Sequence, residues 1–194
     1  FGFTVTTIMP LLSGMPIAYT PNPTDTRSIL RLLQHTKATV LAATPTFLKM
    51  ILASAQPDDL ASLQTVVVGA ERCGDDVRAA FADKAPAGAQ ILEGYGITEC
   101  SPVVTINPPD KAKDGTVGVF IKGITGIVAN LDTKEILPAN QEGMVYVRGE
   151  SIFNGYLDAD IESPFEEIDG QHYYRTGDLG KIDNDGYLTI TGRL

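Results

Sequence analysis

The chain has 194 residues, of which 43% are hydrophobic and 20% are charged, with 19 glycines and 12 prolines. This composition excludes a disordered or collagen-like chain and predicts one globular domain, or one domain with a smaller companion. The formal net charge of −9 argues against nucleic acid and anionic lipid as direct partners, because both are bound through clusters of cations.

The two cysteines and the opening stretch limit the class of protein further. Cys73 and Cys100 are too few for a disulfide framework and belong to no Cys/His cluster, which excludes structural zinc and is typical of reduced thiols. The apolar stretch from Thr4 to Tyr19 is interrupted by prolines, a serine and a glycine, so it does not read as a membrane span of about 20 residues. We therefore expect a cytoplasmic protein.

Residues 1–106 alternate short apolar runs with helical patterns. Asp25 stands before an apolar periodic run, Thr44 precedes Pro45, and acidic residues follow Gly74, all of which are signals of helix starts. The alternation predicts an α/β fold with a doubly wound, largely parallel sheet. The predicted strands are 15–19, 39–43, 65–68 and 90–93, and the predicted helices are 25–36, 45–54 and 75–84.

The alternation of apolar runs and helical patterns ends at Asn107-Pro108-Pro109-Asp110. Glycine-punctuated β segments follow, including 143–148 and 186–190, and most of the negative charge falls in this second part. We predict an α/β subdomain over residues 1–106 and a small β-rich, barrel-like subdomain over 107–194. Because the chain opens on Phe1 without methionine and stops directly after an apparent strand, we expect a piece of a longer protein.

The loops that follow the parallel strands are the expected ligand-binding edge, because helix N-termini and loop amides converge there. The most informative of them is 94–99, Gly94-Tyr95-Gly96-Ile97-Thr98-Glu99, where two glycines allow a tight turn around an aromatic ring. Thr98 offers a hydroxyl and Glu99 a carboxylate, the groups that a magnesium phosphate requires. The other loops of this edge are 20–22, 44–46 and 69–71.

Two patterns allow a different interpretation. Gly94 and Gly96 begin a dinucleotide fingerprint, but Glu99 stands where its third glycine belongs. The run 183–186, Asp-Asn-Asp-Gly, partly matches a calcium loop, but Lys181 occupies a ligand position, which favours a hairpin turn.

Other polar residues carry weaker signals. His35 and His172 have no acid or nucleophile beside them in sequence and are predicted to be structural or surface residues. Cys100 follows Glu99 directly but is predicted to be a buried packing residue. The acidic residues between Asp158 and Asp169 predict a solvated loop.

Three motifs in order resemble the adenylate-forming enzymes, which include acyl-CoA synthetases, peptide-synthetase adenylation domains and luciferases. Residues 95–99, Tyr-Gly-Ile-Thr-Glu, resemble the aromatic-Gly-x-Thr-Glu motif, and residues 174–178, Tyr-Arg-Thr-Gly-Asp, resemble the aromatic-Arg-Thr-Gly-Asp motif. Gly186-Tyr187-Leu188 with Gly192-Arg193 resembles the segment before the family's hinge. With Gly69-Ala70-Glu71 and Gly155-Tyr156-Leu157, the resemblance covers essentially the whole chain.

The resemblance implies a role for each matching residue. Tyr95 would stack on adenine, Thr98 would bind a phosphate, and Glu99 would hold magnesium. Asp178 would accept hydrogen bonds from the ribose hydroxyls, Arg193 would approach the ribose or phosphate, and residues 69–71 would line the adenine and acyl side. The implied catalytic residues are Thr98 and Glu99, and the implied nucleotide-binding residues are Gly69, Ala70, Glu71, Glu93, Gly94, Tyr95, Gly96, Asp178 and Arg193.

By this resemblance the chain is a fragment of the large domain of a ligase that uses ATP and Mg²⁺. A fatty acid would become an acyl-adenylate and pass to the thiol of an acyl carrier protein or of CoA. The stretch 98–104 is most similar to fatty-acid members, in particular the ligase portion of bifunctional acylglycerophosphoethanolamine acyltransferases. Membrane association at the inner face would then come only through a fused domain.

Two alternatives stay open at this stage, and two parts of the family pattern are missing. The chain could activate another carboxylate, such as an amino or aryl acid, or it could be a non-catalytic binding module. The family's phosphate-binding loop and its C-terminal lysine domain would lie outside residues 1–194. We therefore expect this chain to hold half a site and to be inactive alone.

Overall fold

The computed structural model describes residues 2–158 and 160–194, so Phe1 lies outside the described part. The chain forms two compact units, one ending at Gly94 and one beginning at Tyr95. The subdomain boundary near residue 106, which rests on composition, stays a prediction.

The first unit alternates helices with parallel strands. Its elements are α1 (Met9–Leu12), α2 (Thr26–Thr36), β1 (Val40–Ala43), α3 (Pro45–Ser54), β2 (Thr65–Val68), α4 (Asp75–Lys84) and β3 (Gln90–Gly96). β2 pairs in parallel with β1 on one side and with β3 on the other. Leu30 of α2, Leu48 of α3, Phe81 of α4 and Val66 of β2 share one buried cluster. This arrangement confirms the predicted α/β class.

Helices α2, α3 and α4 begin where the sequence predicts, and at α2 and α3 a side chain accepts a hydrogen bond from an otherwise unpaired amide. The Asp25 carboxylate accepts a hydrogen bond from the Ser28 amide at 3.1 Å. The Thr44 hydroxyl accepts one from the Phe47 amide at 3.3 Å, with Pro45 at the first helical position. These are local interactions that short sequence patterns encode directly.

The predicted strand over residues 15–19 is wrong, since this segment has no regular structure. The chain before it is helical instead, with a π-helical turn (Thr4–Ile8) leading into α1. Gly14 then takes a φ of +67°, and Pro16 lacks the amide donor that a strand ladder uses.

No helix in the part of the chain that the structure describes is long and apolar enough to cross a membrane.

The second unit is a β structure, as the sequence predicts. Its strands are β4 (Val103–Ile106), β5 (Val119–Phe120), β6 (Ile124–Ala129), β7 (Gly143–Gly149), β8 (Phe165–Ile168), β9 (Gln171–Ile182) and β10 (Leu188–Arg193). β9 pairs antiparallel with β7, β8 and β10, and β6 extends the sheet beside β7. β4 and β5 pair antiparallel with each other. Val104, Val145 and Leu188 lie fully buried in its core.

The calcium-like run 183–186 forms the hairpin turn between β9 and β10. One oxygen of the Asp183 carboxylate accepts the amides of Asp185 and Tyr187, each at 2.9 Å, and the Lys113 ammonium pairs with the other. Gly186 closes the turn with a φ of +85°. Across residues 2–158 and 160–194, no three His, Cys, Asp or Glu side chains form a group suited to a metal ion.

Two glycines of the second unit provide a matched test of backbone packing. A Cβ on Gly118 would lie 2.0 Å from the carbonyl carbon of Ile106, whereas a Cβ on Gly115 would meet no atom within 4 Å. Both glycines have positive φ, so alanine pays a similar left-handed penalty of about 1–2 kcal/mol at either position. We expect Gly118→Ala to lower the free energy of unfolding by at least about 2 kcal/mol more than Gly115→Ala in chemical denaturation. Equal losses would contradict this packing.

Candidate active site

The corner after β3 is a tight turn that only glycine permits. A Cβ on Gly96 would lie 1.9 Å from the carbonyl oxygen of Pro102, so the backbones approach too closely for any side chain. A 3₁₀ turn (Thr98–Cys100) follows directly, and its last residue, Cys100, is buried. Thr98 is exposed and Glu99 half-buried. The predicted catalytic pair therefore lies on a short, rigidly attached turn.

Tyr95, just before this corner, binds the predicted ribose-binding carboxylate directly. Its hydroxyl donates to Oδ2 of Asp178 at 2.5 Å. Burial raises the pKa of Tyr95, and the hydrogen bond and negative charge of Asp178 raise it further, which keeps the phenol protonated as a donor. The resemblance gave the two residues separate roles and did not reveal that they bind each other.

Asp178 is held in place from several sides. It is only 5% exposed, and its amide donates to the Thr176 hydroxyl at 3.1 Å, which in turn donates to the Val145 carbonyl. Oδ1 lies 3.7 Å from a guanidinium nitrogen of Arg193, the residue opposite it on β10. The Arg193 side chain is 70% exposed, so this ion pair is weak and its cation stays accessible. A fixed carboxylate with an adjacent exposed cation is suited to binding hydroxyls near an anion.

Glu99, just after the corner, has a partner that the sequence did not predict. The Tyr156 hydroxyl donates to Oε1 of Glu99 at 3.0 Å, and the Phe153 amide donates to the Glu99 carbonyl at 2.8 Å. In the sequence, Gly155-Tyr156-Leu157 is part of the family resemblance and indicates no contact with Glu99. Burial and the negative charge of Glu99 raise the pKa of the Cys100 thiol to about 12, which fits a packing residue better than a nucleophile.

The predicted residues of the first unit lie at the ends of β2 and β3. Glu71 is exposed and accepts a hydrogen bond from the Thr46 hydroxyl at 2.6 Å, which joins two of the predicted edge loops. Gly69 is buried, and Ala70 takes a φ of +69° at the turn.

Glu93 has a clear structural role. It is 4% exposed, and its two carboxylate oxygens accept from the Cys73 amide at 3.0 Å and from the Arg78 guanidinium at 2.6 Å. This buried pair connects the chain after β2 to α4 and β3. Removing one partner would leave the other as an uncompensated buried charge. Gly94 continues β3 beyond it. Whether Glu93 and Gly94 also bind a nucleotide stays a prediction.

A cavity of about 300 Å³ in the second unit involves none of the predicted site residues. Its walls include Arg148 and the aromatic rings of Phe153 and Phe165. His172, also on its wall, is exposed, as is His35, in agreement with the sequence. The lining residues are Val147, Arg148, Gly149, Ile152, Phe153, Asn154, Phe165 and His172.

The geometry around β3 and β9 matches the motifs, and comparison with known proteins agrees. A family model described as AMP-binding enzyme matches residues 1–157. The chain belongs to the AMP-binding enzyme family. It is 34% identical over 177 residues to 4-coumarate–CoA ligase 1 of Petroselinum crispum, an alignment that covers 88% of this chain and 32% of that protein. The chain thus spans roughly a third of the length of the curated relatives it matches.

Solved structures of this family share the fold. ATP-bound MatB from Rhodopseudomonas palustris matches with a TM-score of 0.88 and 30% identity, covering 99% of this chain and 37% of that one. A long-chain fatty-acid CoA ligase from Archaeoglobus fulgidus matches with a TM-score of 0.76 and 26% identity, covering 88% of this chain and 37% of that one. These matches confirm the predicted fold class, an α/β subdomain followed by a barrel-like β subdomain.

The Tyr95 hydroxyl provides a direct test of the bond to Asp178. Tyr95→Phe keeps the ring and removes a hydrogen bond to a buried carboxylate, which should lower the free energy of unfolding by about 1.5–3 kcal/mol. Tyr187→Phe is the matched control, since its hydroxyl donates at 2.6 Å to the neutral Lys111 carbonyl and should cost about 0.5–1.5 kcal/mol. Chemical denaturation of both variants measures the difference. A smaller loss at Tyr95 than at Tyr187 would contradict the bond.

Proposed function

We propose that this chain is part of the large domain of an ATP-dependent acid–thiol ligase. In that reaction a carboxylate and ATP form an acyl-adenylate and pyrophosphate, and a thiol then takes the acyl group. The observation that carries the proposal is the Asp178 carboxylate, buried on β9, fixed by the Tyr95 hydroxyl and flanked by Arg193. The similarity to ATP-bound MatB supports ATP as the nucleotide.

In this proposal the second unit binds the nucleoside. Asp178 accepts hydrogen bonds from the ribose hydroxyls, for which an ionised carboxylate is suited. The Tyr95 ring faces the adenine, and Gly94 and Gly96 beside it keep the backbone free of side chains. Arg193 approaches the ribose or a phosphate with its exposed guanidinium. Gly69, Ala70 and Glu71 are assigned to the adenine and acyl side, and Glu93 to nucleotide binding.

Thr98 and Glu99 fit a magnesium ion that is bound together with phosphates. Mg²⁺ usually takes one or two carboxylates plus substrate phosphates instead of an all-protein cage, and the described residues offer no such cage. Glu99 would hold the ion and Thr98 would bind a phosphate. The bound ion supplies positive charge that offsets the charge on the departing pyrophosphate.

Two acid substrates have support, and we propose a fatty acid first. The stretch 98–104 resembles fatty-acid members, including the ligase portion of bifunctional acylglycerophosphoethanolamine acyltransferases, and a long-chain fatty-acid CoA ligase is a structural neighbour. An aryl acid is the second candidate, because a similar curated relative is a 4-coumarate–CoA ligase. The thiol would be CoA, as in these relatives' names, or an acyl carrier protein, as the resemblance implies. We place the reaction in the cytoplasm, with membrane association only through a fused domain.

The Glu99 carboxylate separates an enzyme from a non-catalytic binding module. In the full-length ligase, Glu99→Gln should lower the rate of adenylate formation by at least about a hundred-fold, because one preorganised electrostatic group is lost. The affinity for the nucleotide should fall by a smaller factor than kcat, and a high magnesium concentration should restore part of the rate.

The exposed Glu150→Gln is the control, and it should keep normal activity. Adenylate formation and melting temperature are measured on the same preparations. A folded Glu99→Gln variant with wild-type activity would remove Glu99 from the metal site.

One assay of pyrophosphate release tests which acid is the substrate and whether the 194-residue chain is active by itself. We expect the full-length ligase to turn over with ATP, magnesium and palmitate, and faster than with 4-coumarate. We expect the 194-residue chain alone to be silent, because the resemblance places a phosphate-binding loop and a catalytic lysine outside it. Ordinary turnover by the chain alone would show that these groups are not essential, and preference for 4-coumarate would favour the aryl acid.

A further inference from the structure

The segment 153–156 is attached to the Glu99 turn at two points. The Phe153 amide donates to the Glu99 carbonyl at 2.8 Å, which fixes the two backbones relative to each other. The Tyr156 hydroxyl donates to Oε1 of the same residue at 3.0 Å. Glu99 and Tyr156 lie 57 residues apart in sequence, so this contact is made by the tertiary structure alone.

A cluster of aromatic rings limits where Tyr156 can move. Its ring meets the Phe153 ring edge to face, with centroids 4.9 Å apart at 74°. Phe153 in turn packs edge to face on Tyr174, at 5.5 Å and 81°, and Tyr174 is only 4% exposed. The Tyr156 hydroxyl is therefore anchored although 43% of the residue is exposed.

The bond from Tyr156 leaves one oxygen of Glu99 available. Of the hydrogen bonds between described residues, only this one reaches the Glu99 carboxylate, and it occupies Oε1. A carboxylate that is tethered through one oxygen keeps its other oxygen in a defined direction, instead of rotating freely. Glu99 is half-buried, so part of the residue remains exposed.

We propose that Tyr156 is a positioning residue that orients the Glu99 carboxylate toward the magnesium-bound nucleotide. The proposal rests on the function proposed above for Glu99. Tyr156 does not touch the reacting atoms. It acts through Glu99, so its effect should appear in the magnesium-dependent part of nucleotide binding and disappear when the Glu99 charge is removed.

The first experiment measures binding, so it does not depend on turnover. α,β-Methylene-ATP cannot be cleaved between its α- and β-phosphates, and its affinity for the full-length ligase is measured by calorimetry with magnesium and with EDTA. Tyr156→Phe should reduce the affinity gained from magnesium by about tenfold, in the range typical of groups that orient a metal ligand. The EDTA affinity should stay at the wild-type value. Tyr187→Phe, which also loses one hydroxyl bond, should change neither affinity.

The second experiment asks whether Tyr156 acts through Glu99. Rates of adenylate formation are measured for Tyr156→Phe, Glu99→Gln and the double variant, with melting temperatures on the same samples. If Tyr156 orients the Glu99 charge, Tyr156→Phe slows the wild type by about tenfold and adds nothing in the Glu99→Gln background.

Each other outcome decides against the proposal. A Tyr156→Phe variant with the wild-type affinity and rate overturns it. A double variant that is a further tenfold slower than Glu99→Gln also overturns it. Equal weakening of binding with and without magnesium indicates a merely structural role and overturns it too. A wild-type ligase that binds neither ATP analogue nor AMP refutes the proposed function itself, which is a different result.

Discussion

The close approach of the backbone at Gly96 is the constraint on which the candidate site depends. Because the Pro102 carbonyl leaves no room for a Cβ, the chain can leave β3 only through a side-chain-free corner. Tyr95 precedes that corner and reaches Asp178, and Glu99 follows it and is reached by Tyr156. The backbone at Gly96 therefore admits no side chain between Tyr95 and Glu99, the two residues that contact Asp178 and Tyr156.

Two phenol–carboxylate pairs of the same chemistry differ in burial, Asp178 being buried and Glu99 half-buried. Asp178 is almost entirely removed from water, so its charge requires partners: the Tyr95 hydroxyl donates to one oxygen, and the exposed Arg193 guanidinium lies 3.7 Å from the other. Glu99 stays half-exposed and has one phenolic partner, Tyr156. The buried carboxylate is suited to neutral hydroxyls in one geometry, and the accessible one is suited to a hydrated cation.

The first unit contributes rigidity by a different interaction. The Glu93 carboxylate is buried between the Cys73 amide and the Arg78 guanidinium, so the turn after β2 is tied to the start of α4. A buried ion pair of this kind gives little net stability, but losing one partner is costly. The same residue that the family motif suggests for nucleotide binding therefore also determines the shape of the predicted edge loop.

The sequence alone determined the elements whose signals are local. Asp25 and Thr44 bind amides three residues away. The helical spacing of apolar residues and the short apolar runs predicted α2 to α4 and β1 to β3. The motifs around Glu99 and Asp178 predicted the family. The expected strand at 15–19 failed, because an apolar run does not reveal whether a neighbouring strand will pair with it. Only the tertiary structure decided the partners of Tyr95 and Tyr156, since contacts across 83 and 57 residues depend on how whole strands pair and not on any pattern near either residue.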